Sequence, residues 1–487
     1  MKDIEGKKGL GVLGLTAIVF SAMVGGGIFN IAQNMASHAG LAAVVAAWLI
    51  TGIGMLFLVL TFQKLSQRYP EKNQGLYEYA RSGFGNYAGF NIAWGYWLCV
   101  TLGNVAFVVM LNDAMGAFFP VLLEHGWESI VLCETMVWVM FCIVERGIMT
   151  ASFLNTVMSC LKFGAIFLII VLLFVYFRME TMFTDVWGTT LQVDGGGSFR
   201  DQIMGTMFIT MFCFVGIEGA VMLSSYAKRN KDVGRASVIG FYLALAIYAL
   251  ISVMCYGIRS RAELAQLHDP SVAYVLRLCC GDWAYYFVIV TVIVSILSGF
   301  ISWTLLCSQA PFGAAKVGLL PSYLLKTNRH EVPIYGLTLS TVFMSLFILV
   351  VCAAPDVYIA ALNLTTIMVL PAYAMSGAFL LHASRHGFAG TAGLSAKDLC
   401  WGRVIGFLCI AYCVWCIIGG GFLLFLASSI LYLAGFYLYY VNYRQKSQLT
   451  GERRRFLTAK EWILFALIAI ASAVSIVLLS IGKISLS

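Results

Sequence analysis

Charged residues are scarce in this chain, and that scarcity decides its class. Asp, Glu, Lys and Arg make up 11% of the 487 residues, whereas soluble domains carry about 25%. Proline is rare as well, with 8 residues. Hydrophobic residues make up 61% of the chain, and the mean hydropathy is +0.88. These values exclude a soluble globular domain and predict an all-α polytopic membrane protein.

Signatures of catalysis and of metal binding are also missing. The sequence contains no HExxH motif, no nucleophile elbow and no phosphate-binding glycine loop after a strand. His382 and His386 are four residues apart, but they flank Arg385 at the end of a hydrophobic run, which is typical of a solvated loop entry. The 14 cysteines are scattered through apolar runs, where cysteine acts as a small hydrophobe. We therefore predict no enzyme, no cofactor, no metal and no disulfide.

Thirteen hydrophobic runs are long enough to cross a bilayer, and we number them spans 1 to 13. Their limits are 10–33, 40–62, 87–112, 128–145, 153–177, 203–227, 235–258, 283–307, 335–353, 357–382, 402–418, 421–441 and 461–481. The first run is too long for the apolar core of a signal peptide, so we expect span 1 to be retained. The glycine- and aromatic-rich connection 70–89 is interpreted as an elbow at the membrane interface.

Basic residues fall mainly on one side of these spans. With the N-terminal residues 1–9 inside, 24 of the 31 Lys and Arg residues are cytoplasmic, six are outside and Lys162 lies within span 5. The positive-inside rule therefore predicts a cytoplasmic N-terminus. The net charge of +8 follows from this orientation and does not indicate nucleic-acid binding. The run 453–455 is interpreted as an anchor to the inner membrane surface.

Span 1 contains three consecutive glycines, Gly25, Gly26 and Gly27. Glycine in a helix interior is less favourable than alanine by roughly 1 kcal/mol per residue, so the triplet predicts a break in the helix. Broken backbone survives inside a membrane only where it lines a cavity or holds a ligand. The half-helix after the break would point its positive end at the bilayer midplane, which suits a carboxylate. The alternative is a glycine face for close helix packing.

Span 6 has a similar feature, in which Gly216 and Gly219 flank Glu218. A unit of five spans crosses the membrane an odd number of times, so a second copy that begins at span 6 runs in the opposite sense. This pattern is typical of the inverted repeats of secondary transporters. We predict a transport core over 10–382, with repeats 10–177 and 203–382, and additional spans over 402–481.

Charged residues inside spans are functional candidates by default, because burying a charge in lipid is costly. Glu218 could accept hydrogen bonds from the unwound backbone, could exchange a proton during transport, or could do both. Lys162 either supplies a fixed positive charge inside the bundle or extends to the membrane surface.

Uncharged polar and aromatic residues within spans are further candidates. Trp303 follows a patch of small residues and could stack on a cationic ligand, although a tryptophan in a span is more often packing. Asn104 would bond a substrate or a neighbouring helix. Tyr96 and Tyr373 would line or gate a path, or serve packing.

Four segments together resemble the basic amino acid/polyamine antiporters of the amino acid-polyamine-organocation superfamily, and most of all the arginine/agmatine and arginine/ornithine antiporters. These segments are SAMVGGGIF in span 1, YWLCVTLGNVAF in span 3, FVGIEGA in span 6 and SWTLLCSQAPFGAAKVGLLP from span 8 onwards, and the presence of a thirteenth span adds to the resemblance. The resemblance implies a LeuT-like core of 5+5 inverted repeats with broken spans 1 and 6 and alternating access. It also implies a bacterial inner membrane location and allows a homodimer.

The resemblance assigns roles to individual residues. It places the substrate carboxylate on the span 1 break, the α-ammonium on freed carbonyls of spans 1 and 6, and the side chain on Trp303. Lys162 matches a lysine of sodium-independent relatives, which argues against sodium coupling. Phe212 stands where one arginine/agmatine antiporter has a gating tryptophan. The implied substrate-binding residues are Ala22, Met23, Gly25, Gly26, Gly27, Ile28, Tyr96, Asn104, Phe212, Cys213, Val215 and Trp303. The implied gating or coupling residues are Phe212, Glu218, Lys162 and Tyr373.

The sequence leaves the counter-substrate open. Ornithine keeps the carboxylate that the span 1 break would bind, whereas agmatine lacks it and carries one more net positive charge. Exchange of arginine for agmatine therefore moves charge, and exchange for ornithine does not. A proton-coupled basic amino acid permease is the first alternative, and a non-transporting membrane sensor or a membrane enzyme is the alternative of a different class.

Overall fold

Helices account for nearly all of the described structure. The computed structural model describes residues 9–72, 75–189, 198–353, 356–386, 394–450 and 456–481, and these contain no β-strand beyond one isolated bridge. Eleven of the described helices are long and apolar enough to cross a membrane. They are Leu41–Arg68, Asn86–Gly116, Trp127–Glu145, Ile148–Val175, Asn230–Tyr256, Asp282–Lys316, Ile334–Val351, Asn363–Arg385, Ala396–Gly419, Gly421–Ser447 and Ala459–Ser480.

These eleven helices are spans 2 to 5 and 7 to 13 of the predicted set. Spans 11 and 12 follow each other without a loop over Ala396–Thr450 and meet at a kink at Gly421. The φ of Gly421 is 144°, a value that only glycine adopts readily. That residue divides the two spans where the hydropathy pattern predicts. We call the end of the bundle where span 1 begins the inner end, and the opposite one the outer end.

Spans 1 and 6 are interrupted, as predicted. Span 1 consists of Val12–Met23, a 3₁₀ turn over Gly27–Phe29 and a second helix over Ile31–His38. Span 6 runs helically over Phe199–Phe212 and resumes for one turn at Gly219–Met222. Both breaks fall at the glycine clusters of the sequence, so the prediction of broken helices is confirmed.

Short helices complete the described fold at both ends. The elbow between spans 2 and 3 contains the helix Leu76–Phe84 at the inner end. The outer end carries Arg261–Ala265 and Ser271–Cys280 between spans 7 and 8, which the sequence reading did not anticipate. The basic run 453–455 and most of the N-terminal segment 1–9 lie outside the described residues.

Burial separates the centre of the bundle from its periphery. In span 3, 94% of the most apolar stretch is buried inside the protein, against 11% in span 13. Span 8 packs against span 3 and against the first helix of the interrupted span 1. The breaks are therefore enclosed by protein, as unpaired backbone in a membrane requires.

Candidate functional site

Side chains of span 3 explain why glycines occupy the break of span 1. A Cβ atom on Gly25 would lie 2.5 Å from Phe107 Cε1, and one on Gly26 would lie 2.5 Å from Met110 Cε. Within the described part of the chain, the N–H groups of Gly26 and Gly27 donate to no protein acceptor. The outer half of span 1 thus presents free donors and the positive end of its dipole at the break.

The carbonyl groups before the break are held by four side chains. Trp303 Nε1 donates to Ala22 O at 3.0 Å, and Tyr248 OH donates to Met23 O at 3.0 Å. Val24 O accepts from Lys162 Nζ at 2.6 Å and from Ser295 Oγ at 3.1 Å, and Ser295 Oγ also lies 2.9 Å from Gly25 O. Spans 5, 7 and 8 therefore stabilise the unwound backbone.

Lys162 lies inside the bundle with its ammonium group at the break. Its side chain is fully buried, and Nζ donates to Val24 O and, at 2.8 Å, to Ser298 Oγ. Nζ also lies 5.2 Å from the centre of the Phe20 ring. Lys162 therefore does not extend to the membrane surface. It holds a cationic group between spans 1, 5 and 8.

Glu218 lies at the end of the span 6 break and joins three elements. Its Oε1 accepts from Tyr96 OH at 2.9 Å, and its Oε2 accepts from Tyr373 OH at 2.5 Å and from Gly216 N–H at 3.1 Å. The carboxylate thus joins spans 3 and 10 to the unwound segment, where Gly216 has a φ of 106°. Hydrogen bonds to a carboxylate are roughly twice as strong as those between neutral groups, so these three bonds hold spans 3, 6 and 10 together at this point.

A cavity lies between the two breaks and is lined by residues of spans 1, 3, 6, 7 and 8. Its volume is about 20 Å³, room for roughly one water. The lining consists of Ala22, Met23, Gly25, Gly27, Gly103, Ala106, Phe107, Met110, Phe212, Val215, Tyr248 and Trp303. Trp303 forms one wall and meets Phe107 edge to face, with ring centres 5.4 Å apart. An amino acid fits only if some of these side chains move.

The cavity includes seven of the twelve residues proposed to bind substrate. These are Ala22, Met23, Gly25, Gly27, Phe212, Val215 and Trp303. Gly26, Ile28, Tyr96, Asn104 and Cys213 are not in its lining. Tyr96 bonds Glu218, Asn104 Nδ2 donates to Cys307 Sγ at 3.2 Å, and Cys213 Sγ donates to Ile209 O in its own helix at 3.2 Å.

The lining also contains five residues that the sequence reading did not select. Four of them, Gly103, Ala106, Phe107 and Met110, follow the i, i+3, i+4, i+7 spacing of one helix face. Asn104 is next to Gly103 in sequence but is rotated by about 100° around the helix axis. The helical period of span 3 was the signal that could have found these four. The fifth, Tyr248, has no comparable local signal.

Two layers close the path from the cavity to the inner end. Tyr96 precedes Gly103 by seven residues on span 3, so the Glu218 cluster lies about 10 Å nearer the inner end. Further inward, Leu10 N–H donates to Tyr226 O at 2.8 Å, and Lys228 N–H donates to Leu10 O at 2.9 Å. This backbone bridge joins the inner ends of spans 1 and 6.

At the outer end a buried arginine holds the second half of span 1. Arg261 is 2% exposed. Its Nε donates to Ala36 O at 3.0 Å, its Nη1 donates to Gly188 O at 2.8 Å, and Nη1 lies 3.8 Å from Asp185 Oδ2. Tyr256 OH donates to Ala39 O at 2.8 Å. We call these side chains, Arg261, Asp185 and Tyr256, the outer clamp.

The two interrupted helices, the enclosed cavity and the clamped ends define a membrane transporter of the broken-helix class. The chain belongs to the amino acid permease family, whose model matches residues 10–391. It is 36% identical to an arginine/agmatine antiporter of Chlamydia abortus over 98% of both chains. It is 38% identical to an arginine/ornithine antiporter of Pseudomonas aeruginosa, over 87% of this chain and 89% of that one.

A solved structure shares the fold at low sequence identity. It is the substrate-bound outward-open state of a Na⁺-coupled sialic acid symporter, with a TM-score of 0.52 and 15% identity. The match covers 84% of this chain and 90% of that one. The two chains therefore share their architecture, and this likeness carries no information on substrate.

Proposed function

We propose that this protein is an antiporter that exchanges arginine for agmatine or ornithine by alternating access. The observation that carries the proposal is the cavity, in which the break of span 1 and the indole of Trp303 face the same space. The family and the names of the relatives support the substrate class. We further propose that the inner end faces the cytoplasm of a bacterium, in line with the distribution of basic residues.

The two ends of arginine match the two sides of the cavity. The free N–H groups of Gly26 and Gly27 suit the carboxylate, because they lie at the positive end of a helix dipole. The carbonyls of Ala22 and Met23 suit the α-ammonium once Trp303 and Tyr248 release them. A guanidinium over the Trp303 ring gains roughly 2 kcal/mol when it is desolvated.

Entry of substrate requires a rearrangement of the cavity wall. In this structure the indole N–H of Trp303 donates to Ala22 O, the same oxygen that is proposed to accept from the α-ammonium group of the substrate. Rotation of the indole would free that carbonyl and expose the ring face at the same time. Binding of the head and stacking of the tail are thus coupled through one side chain.

The test is uptake of labelled arginine into liposomes that contain the purified protein. Preloading with unlabelled arginine and with agmatine or ornithine should accelerate uptake by at least ten-fold over empty liposomes, with membrane potential clamped. Acceleration by none of the three would reject exchange. Comparing the potential dependence of the two preloads then identifies the counter-substrate, because only the agmatine exchange moves charge.

Glu218 is the observation that favours a second candidate, a proton-coupled basic amino acid permease. It is a fully buried carboxylate between the cavity and the inner end, of the kind that serves proton relays in transporters. Uptake that needs a pH gradient and is indifferent to preloading would select this candidate.

A further inference from the structure

A second cavity lies at the inner end, away from the proposed substrate site. Its volume is about 420 Å³. Its walls come from the elbow, the start of span 3, the turn after span 8, the end of span 12 and the start of span 13. Spans 12 and 13 are at the periphery, where 22% and 11% of their most apolar stretches are buried. The cavity therefore opens among helices that border lipid, at the level of the membrane surface.

Two basic side chains line this cavity from different elements. Arg81, at the end of the elbow helix, donates Nε to Asn86 Oδ1 at 3.0 Å and makes no other hydrogen bond in the described structure. Lys446, near the end of span 12, donates to Gly318 O. The terminal N–H groups of Arg81 form a planar fork that matches the oxygens of a phosphate.

The acidic residue in the wall is already engaged by protein donors. Glu461 is 6% exposed. Its Oε1 accepts from Tyr87 N–H at 2.8 Å, and its Oε2 accepts from Thr458 N–H at 2.9 Å and from Thr458 Oγ1 at 2.9 Å. This carboxylate caps the N-terminus of span 13 and accepts from the first turn of span 3, so both of its oxygens are already hydrogen-bonded by protein donors.

Aromatic rings complete the wall. The ring centres of Tyr443 and Phe456 are 4.8 Å apart, and those of Tyr439 and Phe456 are 5.7 Å apart. All three residues line the cavity. Aromatic rings at this depth are typical of the membrane interface, where they contact the glycerol and upper acyl regions of lipids.

We propose that this cavity binds a phosphate ester, and that its occupant is the headgroup of an anionic membrane lipid. Basic pockets between membrane helices on the cytoplasmic side bind such headgroups. Arg81 and Lys446 supply the charge, and Tyr439, Tyr443 and Phe456 supply the apolar surface beside it. The phosphate would join the elbow to span 12, so that spans 3 and 12 are fixed at their inner ends. A soluble phosphate compound has the same chemistry, and the experiment separates the two sources.

The experiment is a titration of the purified protein with phosphatidylglycerol, read by native mass spectrometry, with phosphatidylcholine as the neutral lipid. The double variant Arg81→Gln/Lys446→Gln should bind phosphatidylglycerol about thirty-fold more weakly, since each basic residue near the surface contributes about five-fold. The matched control is Arg444→Gln. Arg444 lies on the same helix end but rests over the Tyr440 ring at 5.2 Å and does not line the cavity, so its loss should matter less than two-fold.

The charge-preserving variant Arg81→Lys/Lys446→Arg controls for misfolding of the Gln double variant. It should keep most of the affinity for phosphatidylglycerol. Displacement of phosphatidylglycerol by inorganic phosphate or glycerol phosphate at millimolar concentration would support the site and assign it to soluble phosphates. Equal binding by wild type and the Gln double variant would overturn the proposal. So would equal affinity for both lipids, or equal loss in both double variants. The readout needs no transport, so its failure is distinct from failure of the exchange proposal.

Discussion

At the scale of single residues, Gly103 determines where the Trp303 indole can lie. A Cβ atom at position 103 would sit 2.0 Å from Trp303 Cζ3, closer than any real contact allows. We predict that Gly103→Ala pushes the indole away from span 3 into the space that the substrate would occupy, and so weakens arginine binding by at least ten-fold. Equilibrium binding of labelled arginine measures this effect.

Gly164 provides the matched control for that substitution. It also lies inside a spanning helix, but a Cβ atom there would meet nothing within 4 Å. Gly164→Ala should leave arginine binding unchanged and stabilise the helix by about 1 kcal/mol. Equal effects of the two substitutions on binding would show that Gly103 has no special relation to Trp303.

Tyr373 gives a second prediction at this scale. Its hydroxyl donates to Glu218 Oε2 at 2.5 Å, and a hydrogen bond to a charged group contributes about 1.5–3 kcal/mol. Tyr373→Phe should therefore lower the thermal midpoint of the purified protein by several degrees and slow exchange. Tyr69→Phe is the control, since the buried Tyr69 hydroxyl has no partner among the described residues. An unchanged thermal midpoint in Tyr373→Phe would show that the hydrogen bond between Tyr373 and Glu218 does not stabilise the protein.

At the scale of elements, the outer clamp fixes the second half of span 1. Removing one partner of a buried ion pair costs about 3–5 kcal/mol, and Arg261 also holds two backbone carbonyls. We predict that Arg261→Gln increases hydrogen exchange of the Ile31–His38 amides by at least ten-fold. Arg259→Gln should not, because Arg259 pairs with Glu263 and, among the described residues, its side chain donates no hydrogen bond to span 1. Unchanged protection of Ile31–His38 in Arg261→Gln would contradict the clamp.

The breaks of spans 1 and 6 could be predicted from the sequence because their cause is local. Three glycines in one run, and Gly216 and Gly219 around a carboxylate, oppose a continuous helix wherever they are placed. The division of spans 11 and 12 at Gly421 has the same local origin.

The partners of the breaks could not be predicted in this way. Tyr248 reaches Met23 O from 225 residues away, and Arg261 reaches Ala36 O over the same separation. Asn104 is a candidate because its amide is polar, but it lies on a different face of the span 3 helix from Gly103 and Phe107, which line the cavity. Polarity identified candidate residues, but only packing decides which of them face the same space.

At the scale of the whole molecule, the position of Lys162 bears on energy coupling. Its ammonium group occupies the space between Val24 O and Ser298 Oγ, oxygens of the kind that would otherwise coordinate a cation. We predict that arginine exchange proceeds at the same rate in sodium chloride and in choline chloride. A rate that rises with sodium in the wild-type protein would contradict this account of Lys162.

The central claim is that the breaks hold the head of the substrate while Trp303 holds its cationic tail. The most direct measurement is the dissociation constant of arginine for Trp303→Ala, with Trp283→Ala as the control on the same helix, since Trp283 is 57% exposed. Loss of stacking should weaken binding by about 1–3 kcal/mol, roughly five- to 150-fold, and the control should match wild type. An arginine affinity in Trp303→Ala equal to that of the wild-type protein would contradict the claim.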